Sequence, residues 1–317
     1  MVTGSIPESA LDLLRTAGEV RVCDQGRKLE PAELHEAVRS ADAIVSMVHD
    51  RIDADVCEAA GPQLQVVANV AVGYDNIDVA ELTRRGVTVT NTPGVLVDAT
   101  ADLALGLLLM VTRRLAEGER LLRAREPWSF HLSFMLGTGL QGKTLGIIGL
   151  GQIGQAVARR ARAFGMRIAY TGRRRAGSET EAELDAEFLS QDELLAQADV
   201  ISLHCPLSDE TRHLIDAEAL AAMKPSAVLV NTSRGPVVDE RALAHALREG
   251  RIAGAALDVF EREPEVEPGL LDLDNAVVVP HLGSATVETR SAMAELAVAN
   301  VTDVLTGKDP RTPVRAR

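Results

Sequence analysis

The feature that most constrains the fold of this chain is a glycine-rich run near its middle, Thr144 to Arg159. Leu145 to Ile148 predict a short buried strand, and Ala156 to Ala158 predict the beginning of a helix. The turn between them has the pattern GxGxxG, formed by Gly149, Gly151 and Gly154. In such a unit the glycines permit a tight turn, the close approach of a pyrophosphate and close packing of the helix on the strand. The run therefore predicts a dinucleotide-binding site.

Composition narrows the classes of protein to which the chain can belong. Its 317 residues are 46% hydrophobic and 25% charged, which is typical of a globular chain with two ordinary domains. The net charge of −13 argues against a nucleic acid or an anionic membrane surface as the main partner. The most apolar run, Leu103 to Val111, is much shorter than the roughly 20 residues of a membrane span. A buried or subunit-interface helix is expected there.

The cysteines and histidines do not indicate a metal centre. The three cysteines are scattered and include no CxxC pair, so that neither a disulfide framework nor a zinc site is expected, and a reducing cytoplasm is the expected location. Four histidines, His35, His49, His213 and His245, show no metal-ligand spacing. No metal is expected.

Short apolar segments alternate with helical ones along most of the chain, which predicts an α/β fold with parallel sheets. The second half has six strand candidates: Thr144–Ile148, Arg167–Tyr170, Val200–Leu203, Ala227–Val230, Ala255–Leu257 and Ala276–Val279. The N-terminal third has four: Val20–Val22, Ala43–Val45, Val66–Val70 and Val87–Thr90. Six parallel strands in two halves form the doubly wound fold, in which ligands bind at the carboxyl ends of the strands.

Two helical stretches connect these halves. The first, Ala99 to about Arg123, is expected to link two domains, and the last, Thr286 to Leu305, can cross back to the N-terminal sheet. The sequence therefore predicts two doubly wound domains. A Rossmann dinucleotide-binding domain, residues 98–284, is inserted in a discontinuous, flavodoxin-like substrate-binding domain made of residues 1–97 and 285–317.

Three polar residues follow consecutive strand candidates of the second half: Arg234, Glu263 and His281. Because the carboxyl ends of parallel strands meet at one edge of the sheet, these side chains are expected to converge beside the dinucleotide. Arginine is a planar two-pronged donor, and histidine paired with a carboxylate can hold a proton near neutral pH.

At these residues the chain resembles the D-isomer-specific 2-hydroxyacid dehydrogenases, and within them the glyoxylate/hydroxypyruvate reductases. The resemblance extends over essentially the whole chain, on motifs at Val72–Asp78, Asn91–Pro93, Asp98–Ala101, Gly142–Gly149, His204–Leu207, Asn231–Gly235, Leu257–Phe260 and Pro280–His281. It implies an NAD(P)-dependent oxidoreductase that reduces glyoxylate or hydroxypyruvate. The alternatives are a phosphoglycerate dehydrogenase, another D-2-hydroxyacid dehydrogenase, or a dinucleotide-sensing corepressor scaffold without turnover.

The resemblance also implies roles for individual residues. The catalytic set is Arg234, which binds the oxo acid, His281, the general acid/base, and Glu263, its partner. The implied substrate-binding residues are Val72, Gly73, Arg234, Ser284 and Trp128. The implied cofactor-binding residues are Gly149, Gly151, Gln152, Ile153, Gly154, Thr171, Gly172, Arg173, Arg174, His204, Pro206, Thr211, Thr232, Ser233, Asp258, His281 and Gly283. For His204 a role as an ordinary buried histidine remains open.

The end of the second strand bears on the choice between NAD and NADP. A site that prefers NAD has an acidic residue there to bind the ribose 2′-hydroxyl, whereas this chain has Thr171–Arg175 with three arginines. The arginines at this position favour NADPH, with NADH possible. The alternative is a basic turn that is only solvated, which would have the same sequence. A homodimer is expected, in which the loop around Trp128 either reaches the partner's active site or packs in the interface.

Overall fold

The computed structural model describes residues 1–315, which divide into two units. The first unit combines Met1–Leu96 with the described residues from Ala285 onward, and the second is Val97–Ser284.

The elements follow in chain order. The first unit begins with α1 Glu8–Arg15, α2 Pro31–Ala37, β1 Ala43–Ser46, α3 Ala54–Ala60, β2 Val66–Asn69, α4 Val79–Arg84 and β3 Thr88–Thr90. The second unit contains α5 Val97–Thr112, α6 Leu115–Arg123, β4 Thr144–Ile148, α7 Gln152–Ala163, β5 Arg167–Thr171, α8 Ser178–Leu184, β6 Ala186–Phe188, α9 Gln191–Gln197 and β7 Val200–Leu203. It continues with α10 Ala217–Ala222, β8 Val228–Asn231, the 3-10 turn Gly235–Val237, α11 Glu240–Arg248, β9 Gly254–Leu257, α12 Pro268–Leu271 and β10 Ala276–Val278. The first unit resumes with α13 Val287–Leu305.

The second unit is built on a parallel sheet in the order β10-β9-β8-β7-β4-β5-β6. This is the Rossmann order with an additional strand at the edge, and the strand order reverses between β4 and β7. All six predicted strands are present, each within about one residue of its predicted bounds. The prediction of six strands was nevertheless wrong, because residues 97–284 form seven. The missed strand, β6, has three partly or fully exposed residues, too few for a recognisable apolar pattern.

A second correction concerns the helical stretch from Ala99 to Arg123, which is two helices and not one. The break lies at Arg114, whose backbone is left-handed with φ of 54°. The Thr112 carbonyl accepts the N–H of Thr138 at 2.8 Å, so that a distant segment packs on the end of α5. The break contains neither glycine nor proline, and the sequence therefore gave no sign of it. None of the helices in residues 1–315 combines the length and apolarity needed to cross a membrane.

The first unit has a smaller parallel sheet in the order β1-β2-β3. Single-residue parallel bridges extend it, since Val2 pairs with both Val22 and Val45. With these bridges the order becomes 2-1-3-4-5, which is that of flavodoxin-like sheets. The predicted strand Val20–Val22 is reduced to the bridge at Val22, a residue that is 43% exposed at the edge of the sheet.

Helix α13 belongs to the first unit because of the face that it buries. Ala297, Val298 and Val301 are at most 1% exposed, and they pack with α1, β1 and β2. The Thr286 hydroxyl caps the helix by accepting the N–H of Thr289 at 3.1 Å. The predicted start at Thr286 is therefore the cap, one residue before the helix.

Candidate active site

The glycine turn between β4 and α7 has the shape that a dinucleotide requires. Gly149 has φ of 97°, and a Cβ there would lie 2.7 Å from the Cys205 backbone N. A Cβ at Gly154 would lie 2.4 Å from the Gly149 carbonyl oxygen, so that the helix and the turn touch through this glycine. A Cβ at Gly151 would meet no atom within 4 Å, which leaves open space beside the first turn of α7. The unpaired N–H groups of that turn, which includes Gln152 and Ile153, can bind a phosphate there.

Two buried polar atoms past the neighbouring strands also fit a ligand. His204 Nδ1 and Thr232 Oγ1 are shielded from solvent and have no hydrogen-bond partner among the described residues. The other ring nitrogen of His204 lies 2.8 Å from Ser202 Oγ. Burial lowers the pKa of His204 to about 4, so that the ring is neutral at physiological pH. Both residues belong to the set for which the family resemblance implies contact with the cofactor, with the role of an ordinary buried histidine still open for His204.

The three arginines after β5 differ in their contacts. Arg175 forms an ion pair with Glu181 at 2.8 Å, and its guanidinium lies over the Phe188 ring. Arg173 and Arg174 are exposed, and within residues 1–315 neither forms an ion pair with a carboxylate. Because Arg175 already has its partner, Arg173 and Arg174 are the two available to a phosphate.

Glu263 and His281 form a hydrogen-bonded pair past the ends of β9 and β10. Glu263 Oε2 accepts from His281 Nδ1 at 2.8 Å, and the side chains are 33% and 34% exposed. Glu263 Oε1 accepts the N–H of Phe260 at 3.1 Å. Burial alone would raise the pKa of Glu263, but the hydrogen bond and charge of His281, the Phe260 N–H and the charge of Arg234 together lower it. Glu263 is therefore a carboxylate, and it fixes the proton of the neutral ring on Nδ1.

The loop that carries His281 is held by Asp258. His281 has a left-handed backbone with φ of 51°, and its N–H donates to the Asp258 carbonyl at 2.8 Å. The two oxygens of the Asp258 side chain accept the N–H groups of Leu282 and Gly283, at 2.5 and 2.8 Å. Asp258 is 1% exposed, and this burial raises its pKa. In addition the Thr100 hydroxyl donates to the Gly283 carbonyl at 3.0 Å, a contact that the sequence did not reveal.

Arg234 lies in the loop after β8, and this loop touches the loop that carries Glu263. Arg234 Nη1 donates to the Ser233 carbonyl at 2.8 Å, and Asn231 Nδ2 donates to the Arg234 carbonyl at 2.9 Å. A Cβ on Gly235 would lie 1.9 Å from the Phe260 carbonyl carbon, which shows that the two backbones are in direct contact. The Asn231 side chain also accepts from the Ser233 hydroxyl at 3.0 Å.

Glu240 and Glu261, which no sequence pattern indicated, join the start of α11 to the loop that carries Glu263. Glu261 Oε1 accepts the N–H of Glu240 at 3.0 Å, and Glu240 Oε1 accepts the N–H of Glu261 at 2.5 Å. Glu240 is 4% exposed, and its burial raises its pKa. His213 Nε2 lies 3.1 Å from the second oxygen of Glu261. The two glutamates are separated by 21 residues without a shared motif, so that only the fold brings them together.

The remaining predicted residues lie in separate places. In the second unit Thr211 Oγ1 donates to the Pro206 carbonyl at 2.7 Å, in the turn after β7. Trp128 is 56% exposed and stacks on Phe134 with ring centroids 6.0 Å apart. Three predicted residues occupy loop or strand-end positions of that unit: Thr171, Gly172 and Ser284. In the first unit Val72 and Gly73 lie in the loop after β2.

Comparison with known proteins places this arrangement in a family. A sequence model described as the D-isomer specific 2-hydroxyacid dehydrogenase, NAD binding domain, matches residues 105–283. A glyoxylate reductase of Thermococcus onnurineus is 50% identical over 99% of this chain and 95% of its own length. The chain belongs to the D-isomer specific 2-hydroxyacid dehydrogenase family. It is therefore an oxidoreductase that uses a nicotinamide dinucleotide.

Two crystal structures extend the likeness to the whole fold. A protein of Thermus thermophilus is 48% identical and superposes with a TM-score of 0.93, covering 99% of both chains. An NADPH-dependent glyoxylate/hydroxypyruvate reductase of Sinorhizobium meliloti, in complex with NADP and malonate, is 36% identical with a TM-score of 0.85. That comparison covers 100% of this chain and 98% of the other. The D-2-hydroxyacid dehydrogenase fold predicted from the sequence is thereby confirmed.

Proposed function

We propose that this dehydrogenase reduces small 2-oxo acids, glyoxylate or hydroxypyruvate, to the corresponding 2-hydroxy acids, glycolate or D-glycerate, and favours NADPH. The observation that carries the proposal is the 2.8 Å hydrogen bond between His281 Nδ1 and Glu263, past the ends of neighbouring strands of a dinucleotide-binding sheet. The 50% identity to a relative named glyoxylate reductase supports the choice of substrate.

The proposed division of labour follows from the geometry. A nicotinamide dinucleotide, when bound, supplies the hydride that reduces the carbonyl carbon. Arg234 binds the oxo acid through its planar guanidinium, which matches a carboxylate and a carbonyl oxygen. Glu263 occupies His281 Nδ1, and this leaves Nε2 to donate a proton to the carbonyl oxygen. The Glu263 carboxylate stabilises the imidazolium form of His281 until the proton is transferred from Nε2 to the carbonyl oxygen. In the reverse reaction the unprotonated Nε2 accepts the proton of the substrate hydroxyl.

The proposed second anchor for the substrate carboxylate is the pair of backbone N–H groups at Val72 and Gly73. Neither N–H donates to an acceptor within residues 1–315. Adjacent free N–H groups in a loop form a concave partial positive charge that binds anions. These two groups account for a requirement for a carboxylate on the substrate.

The proposed preference for NADPH rests on Arg173 and Arg174. Replacing both with alanine should raise KM for NADPH at least tenfold, because each removes a charge-assisted hydrogen bond to the 2′-phosphate. KM for NADH should change by no more than about twofold, since NADH lacks that phosphate. Arg175→Ala is the matched control, because it removes the same charge from a residue already paired with Glu181. An equal effect of the double variant on both dinucleotides would reject the assignment.

One panel of rates tests the proposed activity. Glyoxylate, hydroxypyruvate, pyruvate and phosphohydroxypyruvate are each offered with NADH and with NADPH, and the loss of absorbance of the reduced dinucleotide is recorded. The proposal expects the highest kcat/KM with glyoxylate or hydroxypyruvate and NADPH. A maximum with phosphohydroxypyruvate would indicate a phosphoglycerate dehydrogenase. Tight dinucleotide binding without turnover of any acid would indicate a sensing scaffold and refute the proposal.

We further propose that the enzyme is a homodimer. The loop of residues 128–136 exposes four large apolar side chains, Trp128, Phe130, Leu132 and Leu136, at 56% to 89% of their area. So large an apolar surface on a single loop is typical of an interaction site. We propose that a second copy of the chain buries this loop. Analytical ultracentrifugation at several protein concentrations tests the proposal by measuring the oligomeric state. A monomer at all concentrations would contradict the assignment.

A further inference from the structure

The loop after β2, residues 70–74, is held through its carbonyl oxygens. Three consecutive carbonyls accept hydrogen bonds at 2.8, 2.8 and 2.9 Å: Ala71 from the Thr92 N–H, Val72 from Asn91 Nδ2, and Gly73 from Asn69 Nδ2. All six residues belong to the first unit. The carbonyls of Ala71, Val72 and Gly73 are therefore occupied, whereas the N–H groups of Val72 and Gly73 between them donate to no acceptor within residues 1–315.

The Asn91 side chain controls the direction of one of those N–H groups. A peptide bond is planar and trans, so that the C=O of Val72 and the N–H of Gly73 point in opposite directions within one rigid plane. By holding the Val72 oxygen at 2.8 Å, Asn91 also fixes where the Gly73 N–H points. The position needs such a restraint, because Gly73 has no Cβ and the peptide plane before it can therefore rotate at a low cost in free energy. The Thr92 N–H restrains the preceding plane in the same way.

Asn91 is itself held on the far side. Thr312 Oγ1 donates to the Asn91 carbonyl at 2.6 Å, and Asn300 Nδ2 donates to Thr312 Oγ1 at 2.8 Å. Asn300 lies on α13 and is fully buried. A hydrogen-bonded chain thus runs from the helix that completes the first unit to the Val72 carbonyl. The Asn91 side chain therefore extends from an anchored main chain, which suits it to fixing the orientation of the Val72 carbonyl.

We propose that Asn91 is a positioning residue that sets the Gly73 N–H for the carboxylate of the 2-oxo acid. This rests on the proposed function, in which the Val72 and Gly73 N–H groups bind that carboxylate. Without the Asn91 donor the 72–73 peptide plane can rotate, and the Val72 oxygen then faces the anion. The effect should fall on substrate affinity and leave the chemical step and the dinucleotide site unchanged.

The test uses the full-length enzyme with Asn91→Asp, which replaces the donor by an acceptor, and Asn91→Ala, which deletes it. Steady-state kinetics with glyoxylate and NADPH and the inhibition constant of oxamate, a carboxylate-bearing mimic of a 2-oxo acid, are measured. We expect KM for glyoxylate and the oxamate constant to rise about tenfold or more, as for loss of one hydrogen bond to a charged group. We expect kcat to stay within about threefold and KM for NADPH to be unchanged.

The matched control is Asn275→Asp, another asparagine whose amide donates to backbone carbonyls, those of Leu247 and Ala253, in the second unit. It should lose thermal stability to a similar degree and keep the wild-type KM for glyoxylate. If the wild type is active and both Asn91 variants keep its KM for glyoxylate and its inhibition constant for oxamate, the positioning role is refuted. The proposed function would then still stand. A parallel change in kcat and in KM for NADPH would also overturn it, since that would indicate general damage to the fold. A wild type that neither reduces an oxo acid nor binds oxamate would instead reject the proposed function.

Discussion

Replacing Glu263 with glutamine keeps the shape of the side chain and removes its charge. In the wild type one carboxylate oxygen accepts the Phe260 N–H at 3.1 Å and the other accepts from His281 Nδ1 at 2.8 Å. An amide has one oxygen and one NH₂ group, and it cannot accept on both sides. With its oxygen toward Phe260, the amide presents a donor to Nδ1. With its oxygen toward Nδ1, it presents a donor to the Phe260 N–H.

The size of the effect follows from the exposure of the pair. A hydrogen bond to a charged group contributes about 1.5–3 kcal/mol, and one pH unit corresponds to about 1.4 kcal/mol. The two side chains are 33% and 34% exposed, so that solvent screening favours the lower end of this range. The carboxylate stabilises the imidazolium that donates the proton, and its removal weakens that form of the ring. The limb of the kcat/KM profile that reports the proton donor should move to lower pH. A loss of about 1.4 kcal/mol corresponds to a fall of about tenfold in kcat/KM for reduction at neutral pH.

The assay is the pH dependence of kcat/KM for glyoxylate with NADPH, recorded for the wild type and Glu263→Gln. Glu265→Gln is the matched control, because Glu265 is exposed and lies two residues further along the same loop. The control should keep the wild-type profile. A limb that stays in place in Glu263→Gln would remove Glu263 from the mechanism and refute the reasoning.

Two further variants test the surroundings of the site. Gly235→Ala places a Cβ 1.9 Å from the Phe260 carbonyl carbon, so that the loops carrying Arg234 and Glu263 must separate. We expect the free energy of unfolding, measured in urea, to fall by about 1–3 kcal/mol or more, together with a lower kcat. The control Gly177→Ala, where a Cβ meets no atom within 4 Å, should show neither change. The pKa of His204 is lowered from 6.5 to about 4 in the folded state, so that the stability contributed by the neutral ring is lost as the pH falls below 6.5. Between pH 7 and 4.5 the free energy of unfolding of the wild type should fall by about 2–3 kcal/mol more than that of His204→Gln. Equal losses in the two proteins would contradict the burial of a neutral ring.

Much of the fold follows from local patterns in the sequence. Buried strands such as Thr144–Ile148 and Val200–Leu203 are predominantly apolar runs, and both have their predicted bounds. The failures occur where tertiary contacts decide the outcome. Strand β6 is an edge strand of three residues with no apolar pattern. The helix break at Arg114 is accompanied by a contact from Thr138, 24 positions further on, and residues near the break do not indicate it.

The candidate site shows the same division between local and distant causes. The rule that ligands bind at the carboxyl ends of parallel strands is enough to bring Arg234, Glu263 and His281 to one side of the sheet. The loops of His281 and Arg234 are held by bonds between side chains and backbone N–H or C=O groups, as at Asp258 and Asn231. Their partners depend on register and loop conformation, and residue types in a sequence do not report these.

The central claim is that His281 is the proton donor for reduction of a 2-oxo acid, and His281→Ala tests it most directly. The measurement is kcat/KM for glyoxylate with NADPH, accompanied by the dissociation constant of NADPH from quenching of protein fluorescence. If His281 is the proton donor, kcat/KM should fall by at least ~10², the usual contribution of a general acid, with NADPH still bound. Reduction at close to the wild-type rate would contradict it.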